Sequence, residues 1–99
     1  MADNNDEAGS MNQGTVRYKC PCCGFRTFET PDKGDFEICP VCFWERDPAQ
    51  FRDEDLSGGA NSVSLRTARQ NFLQYGACEE KFVNNVRPPR QDEMDTNEQ

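Results

Sequence analysis

Two pairs of cysteines, Cys20-x2-Cys23 and Cys39-x2-Cys42, with fifteen residues between them, constrain this 99-residue chain more than any other feature. Two residues between sulfurs let the backbone wrap one side of a tetrahedral ion with Zn–S near ~2.3 Å, and two such knuckles complete a four-thiolate set. The neighbours suit the turn. Pro21 and Pro40 follow the first cysteine of each pair and fix φ, and Gly24 follows the second of the first pair, where left-handed backbone is open to it. The spacing therefore predicts Cys20, Cys23, Cys39 and Cys42 as the metal ligands of one structural zinc ion.

A staple is needed. Only 34% of residues are hydrophobic and the mean hydropathy is -0.95, thin material for a core in a chain this short. The chain has no histidine, which removes the commonest general base and any mixed His/Cys site. No apolar run approaches the ~20 residues that span a bilayer, and the N-terminal MADNNDEAGSMNQG reads as no leader, so a cytoplasmic location and no membrane partner are expected. In such a reducing compartment the cysteine spacing favours metal over disulfides.

The net charge of -7 is uneven. Residues 1–14 and 90–99 each carry -3, while 15–89 carries only -1. Both ends read as disordered acidic tails flanking one cysteine-rich domain at 15–89. Within that domain VRYK (16–19), FRTF (25–28) and FEIC (36–39) alternate apolar and polar residues. They predict three short strands, the first two forming a hairpin and the third following a turn at PDKG, 31–34.

Residues 47–61, DPAQFRDEDLSGGAN, read as a loop. Beyond it Leu65, Ala68, Phe72 and Tyr75 share one face of a helix, with Leu73 at its margin; Ser62 or Ser64 can cap its start and Gly76 its end. A shorter helix is expected from about Cys78 to Val86, stopped by Pro88 and Pro89. The fold class expected is a small α+β metal-bound domain, a zinc-ribbon-like three-stranded β unit followed by two C-terminal helices.

CPCCGF, EICPVCFWE, GGAN-VSL with Ala68 and Asn71, YGAC-E-F and VRPP together resemble the bacterial cysteine-rich CPCC proteins over roughly residues 18–89. The resemblance implies one small metal-binding domain and no established reaction. Both knuckles also resemble those of rubredoxins, which keeps iron as a minor alternative to zinc; Phe43 stands where a second such knuckle has glycine, and the gap between knuckles is short for that family.

Four protein ligands close the coordination sphere, and no nucleophile–base pair stands out, so no enzymatic role is expected. Cys22 should point out of the first knuckle, as a small filler, a spare ligand or a redox thiol; Cys78 is expected to be buried. The density of Phe25, Phe28, Phe36, Phe43, Trp44 and Phe51 reads mainly as core, with an exposed platform at Trp44 as the alternative. Arg66 and Arg69, with Arg17, Lys19, Arg87 and Arg90, could form a basic strip, although a solvated helix face partly paired with the acidic loop is the favoured reading. SGGAN, 57–61, reads as turn and capping chemistry rather than a phosphate nest. The expected role is a protein-interaction module held by zinc, its partner another protein. The alternatives are a nucleic-acid-binding zinc ribbon and a thiol-redox or rubredoxin-like electron-transfer protein.

Overall fold

The computed structural model describes residues 17–31 and 36–94. The 1–14 tail and the PDKG turn beyond Pro31 lie outside the described residues.

Pairing around each knuckle is minimal. Tyr18 and Phe28 form an antiparallel bridge, with Tyr18 N donating to Phe28 O at 2.7 Å and Phe28 N to Tyr18 O at 3.2 Å. Ile38 pairs with Glu45, not with FRTF. The three-stranded unit is thus corrected: among the described residues there are no strands, only one bridge straddling each knuckle. Each arm has only a few residues before its knuckle turns the chain, too few for a ladder to propagate. Phe36 and Ile38, expected to be apolar positions of a third strand, are both exposed.

Between knuckle and long helix the chain forms a short helix, α1 (Pro48–Arg52), inside the segment read as loop. Its start is well specified: Asp47 Oδ1 accepts from Ala49 N at 2.9 Å, and Pro48 occupies the first turn, where its missing N–H costs nothing. α1 exists to place Gln50, which is fully buried. Gln50 Nε2 donates to the carbonyls of Leu56 (2.9 Å), Asn61 (3.2 Å) and Val63 (3.1 Å), while its Oε1 accepts from Asn61 N and Nδ2. A loop poor in apolar residues is thereby organised around one amide whose hydrogen-bonding capacity is filled. SGGAN belongs to this clamp. Asp47 Oδ2 accepts from Ala60 N at 2.9 Å, and a Cβ on Gly59 would stand 2.5 Å from that same oxygen, so glycine is there to admit the carboxylate.

α2 (Leu65–Tyr75) forms as expected, with Ser64 Oγ accepting from Thr67 N at 3.1 Å and Gly76 ending it at φ 82. Leu65 and Ala68 are buried and Phe72 meets Phe25 edge-on at 6.3 Å; Leu73 is 86% exposed and Tyr75 is also exposed, so the buried stripe is narrower than the wheel suggests. The second expected helix is corrected to a single 3-10 turn, Glu80–Phe82. Phe82 N, Val83 N and Asn85 N all bond three residues back, and the run Val83-Asn84-Asn85 supplies poor helix formers where an α-turn would have to begin. Among the described residues no helix is long and apolar enough to cross a membrane.

The core unites Cys20, Cys22, Phe28, Cys39, Val41, Cys42, Trp44, Leu65, Ala68 and Cys78. The knuckles are therefore the centre of the domain. Residues 90–94, assigned from sequence to the C-terminal tail, pack on them. Glu93 is 1% exposed in a 3-10 turn, Gln91–Glu93. Its carbonyl accepts from Arg26 N beside the first knuckle (2.7 Å), and Arg87 N donates to Pro40 O in the second (3.2 Å), so one segment spans both.

Candidate metal centre

The two knuckles repeat the same backbone scheme. Cys20 N donates to Phe25 O and Cys39 N to Trp44 O, both at 2.9 Å; Gly24 N donates to Cys20 O and Phe43 N to Cys39 O, both at 2.8 Å. Gly24 has φ 82 and Phe43 φ 74, so a phenylalanine adopts the left-handed backbone that its counterpart gives to glycine. What holds it there is its ring, which packs on Phe82 at 4.6 Å. The departure from glycine that separated this chain from rubredoxin-like knuckles is one of side chain, not of backbone.

The turns bring four sulfurs together. Cys20, Cys23, Cys39 and Cys42 place their Sγ atoms within 4.8 Å of one another, a group that could hold a metal ion. Cys20 Sγ lies 3.6 Å from Cys42 Sγ, and Cys23 Sγ 3.8 Å from Cys39 Sγ. A tetrahedron with metal–sulfur bonds of ~2.3 Å has edges of about 3.8 Å, so the spacing fits a tetrathiolate ion with little adjustment. Cys20, Cys39 and Cys42 are at most 1% exposed.

Donors converge on the sulfurs. Cys22 N, Val41 N and Trp44 N lie 3.4 Å from the sulfurs of Cys20, Cys39 and Cys42 respectively. Thr27 Oγ1 lies 3.1 Å from Cys39 Sγ. Burial holds the Cys20 thiol well above its usual range, and hydrogen bonding to Cys20 raises Cys42. Hydrogen bonding with Cys20, Cys23 and Cys42 draws Cys39 down. Four sulfurs so crowded cannot all ionise without a cation among them.

Sequence reasoning passed over Thr27. It sits in a tight turn, its N donating to Phe25 O at 3.0 Å, and this turn carries the hydroxyl inward to the other knuckle's sulfur. Nothing in the FRTF pattern marks it, because a threonine on a short strand ordinarily faces either side. Thr27→Val keeps the shape and removes the donor; metal affinity, measured by competition with a chelating dye, is expected to fall about tenfold. An unchanged affinity would show that the hydroxyl only fills space.

The remaining cysteines are not displayed. Cys22, expected to point outward, is 7% exposed and belongs to the same buried core as Leu65, Ala68 and Cys78, which corrects that expectation. Cys78 is fully buried, its N donates to Cys42 O at 2.7 Å, and burial pushes its thiol up to about 12. Trp44 is fully buried, which settles it as core.

The bases face acids. Arg66 Nε lies 2.7 Å from Asp55, Arg69 Nη1 2.9 Å from Glu54 while its Nε donates to Pro21 O, and Arg17 lies 3.4 Å from Asp92. Arg87 holds Glu93 with two bonds of 2.9 and 2.8 Å, and Arg90 also reaches it, at 3.4 Å. These pairs fit the reading of a solvated face paired with acids, and the alternative basic strip is not assembled among these residues.

Fold and site together define a compact double-knuckle domain built around a four-cysteine cluster able to hold one metal ion. The chain matches the cysteine-rich CPCC family over residues 18–93 and belongs to it. No curated protein matches the chain. The match runs through residue 93, where the structure buries a carboxylate.

Proposed function

We propose that this protein holds one structural zinc ion on Cys20, Cys23, Cys39 and Cys42 and serves as a protein-interaction module without catalysis. The observation that carries this reading is the set of four sulfurs at tetrahedral spacing in the core, three of them buried and that of Cys23 partly so. Zinc on four thiolates cross-links the two knuckles and leaves no position for an activated water. Iron has the same edge length and remains the competing ion.

The surroundings support an interaction role over the alternatives. Pairing of Arg17, Arg66, Arg69, Arg87 and Arg90 with carboxylates weighs against a phosphate-tracking face. Burial of Cys22 and Cys78 weighs against thiol exchange. The surface pockets described, of about 200, 280 and 230 Å³, are smaller than the ~300–1,000 Å³ usual for small-molecule sites.

Affinity capture from cells tests it, comparing wild type with Cys39→Ser and splitting each sample by nuclease treatment. Protein partners recovered by wild type alone, before and after nuclease, are expected. Recovery that nuclease abolishes would replace the reading with nucleic-acid binding, and a purified protein that is red when oxidised would replace zinc with iron.

A further inference from the structure

We propose that the pocket between the Ile38–Glu45 bridge and the 3-10 turn at Glu80–Phe82 binds a lysine side chain presented by a partner polypeptide. This rests on the protein-interaction reading and names what one surface of the module would recognise. The pocket has a volume of about 200 Å³, with walls that include Ile38, Phe43, Glu45, Glu79, Lys81 and Phe82. That is room for one long side chain rather than a free metabolite.

The lining matches a lysine part by part. Ile38 and the Phe43–Phe82 ring pair, 4.6 Å apart, offer apolar and aromatic surface to a butyl stem. Glu79 and Glu45 offer charge to an ammonium. Glu79 is mostly buried, with 15% of its side chain exposed, and is positioned by Ser62 Oγ, which donates to Oε2 at 2.9 Å. Among the described residues no cation pairs with the Glu45 carboxylate.

The protein already places an ammonium at this rim. Lys81 Nζ lies 5.2 Å over the Phe82 ring and 3.8 Å from Glu79 Oε1. A primary ammonium is thus accepted by the same ring and carboxylate that an incoming lysine would use. Lys81 is 66% exposed and loosely held, so it can move aside, and two carboxylates against one ammonium leave charge for a second. Lysine is favoured over arginine because the ring and carboxylate here already hold a primary ammonium, that of Lys81.

Zinc-loaded full-length protein would be titrated by NMR with acetyl-Gly-Lys-Gly-amide, its norleucine counterpart, which keeps the stem without the ammonium, and its arginine counterpart. The lysine peptide is expected to give saturable shifts at Ile38, Phe43 and Phe82, the arginine peptide weaker ones and the norleucine peptide none. Glu79→Gln, which retains an acceptor for Ser62, should weaken lysine binding about tenfold, as loss of one charge-assisted contact implies. Lys81→Met, on an exposed side chain, should tighten it several-fold by removing the resident ammonium. No shifts at these residues, equal shifts from norleucine, or weaker binding by Lys81→Met would overturn the site. Saturable shifts confined to another surface would also overturn it while leaving the interaction reading standing. Lysine binding here alongside a capture that recovers no protein would overturn that broader reading instead.

Discussion

Cys39→Ser is expected to abolish cooperative folding and metal retention in a single step. Cys39 is fully buried and its sulfur is the most elaborately held of the four, with Thr27 Oγ1 at 3.1 Å, Val41 N at 3.4 Å and Cys23 Sγ at 3.8 Å. A serine oxygen is shorter-reaching, harder and far less acidic than a thiol, so it fails as a ligand at neutral pH. Structural zinc contributes roughly 10–16 kcal/mol in small domains, against a typical total stability of about 5–15 kcal/mol, so loss of a ligand removes more than the fold can spare. Circular dichroism on heating and elemental analysis of the same sample measure the two losses. A serine variant that melts cooperatively without metal would sink the structural role.

The next largest effect is expected at Glu93. Hydrogen bonding from Arg87 holds its carboxyl at about 2, below the ordinary 4.5, with Arg90 N adding a bond of 2.8 Å. The folded value is the lowered one, so this stabilisation is fully present above 4.5 and is lost as pH falls toward 2. Its size is on the order of 3 kcal/mol, in line with breaking one side of a buried pair. Glu93→Gln should therefore lower unfolding free energy by about 3 kcal/mol at neutral pH with the metal still bound, read from denaturant titrations of the loaded protein. A variant with wild-type stability would mean that Arg87 and Arg90 are equally content in water.

The cysteine spacing, the Ser64 and Gly76 caps and the Leu65–Ala68 stripe were all legible because each is a local rule: a turn geometry, a cap or a helical period. What escaped notice depends on residues far apart in sequence. α1 was hidden because its cap and proline sit in a polar run whose buried side chains, Asp47, Gln50 and Asn61, are all polar, with Gln50 satisfied from three positions beyond it. Cys22 looked exposed because the knuckle alone would expose it, whereas it joins a core that also holds Leu65, Ala68 and Cys78, all distant in sequence. The strands were over-read because alternation marks a half-buried surface, whereas knuckles this close to the bridges leave a single pair on each side. The 90–99 segment read as tail because its acids were counted as charge, and nothing local shows that Glu93 would find Arg87 and Arg26.

The clasp formed by residues 87–93 also sets an order in time. The sulfur contacts close separations of 16 and 22 residues, and all four cysteines are synthesised before Arg87 and Glu93. The growing chain therefore acquires its metal-binding elements first and its fastening last. A chain interrupted after Pro89 would carry every cysteine and both knuckles yet lack the carboxylate and carbonyl of Glu93. Stability in this domain thus depends on residues 87–93: a protease that samples open states would cleave chains lacking that segment far more often than chains that carry it.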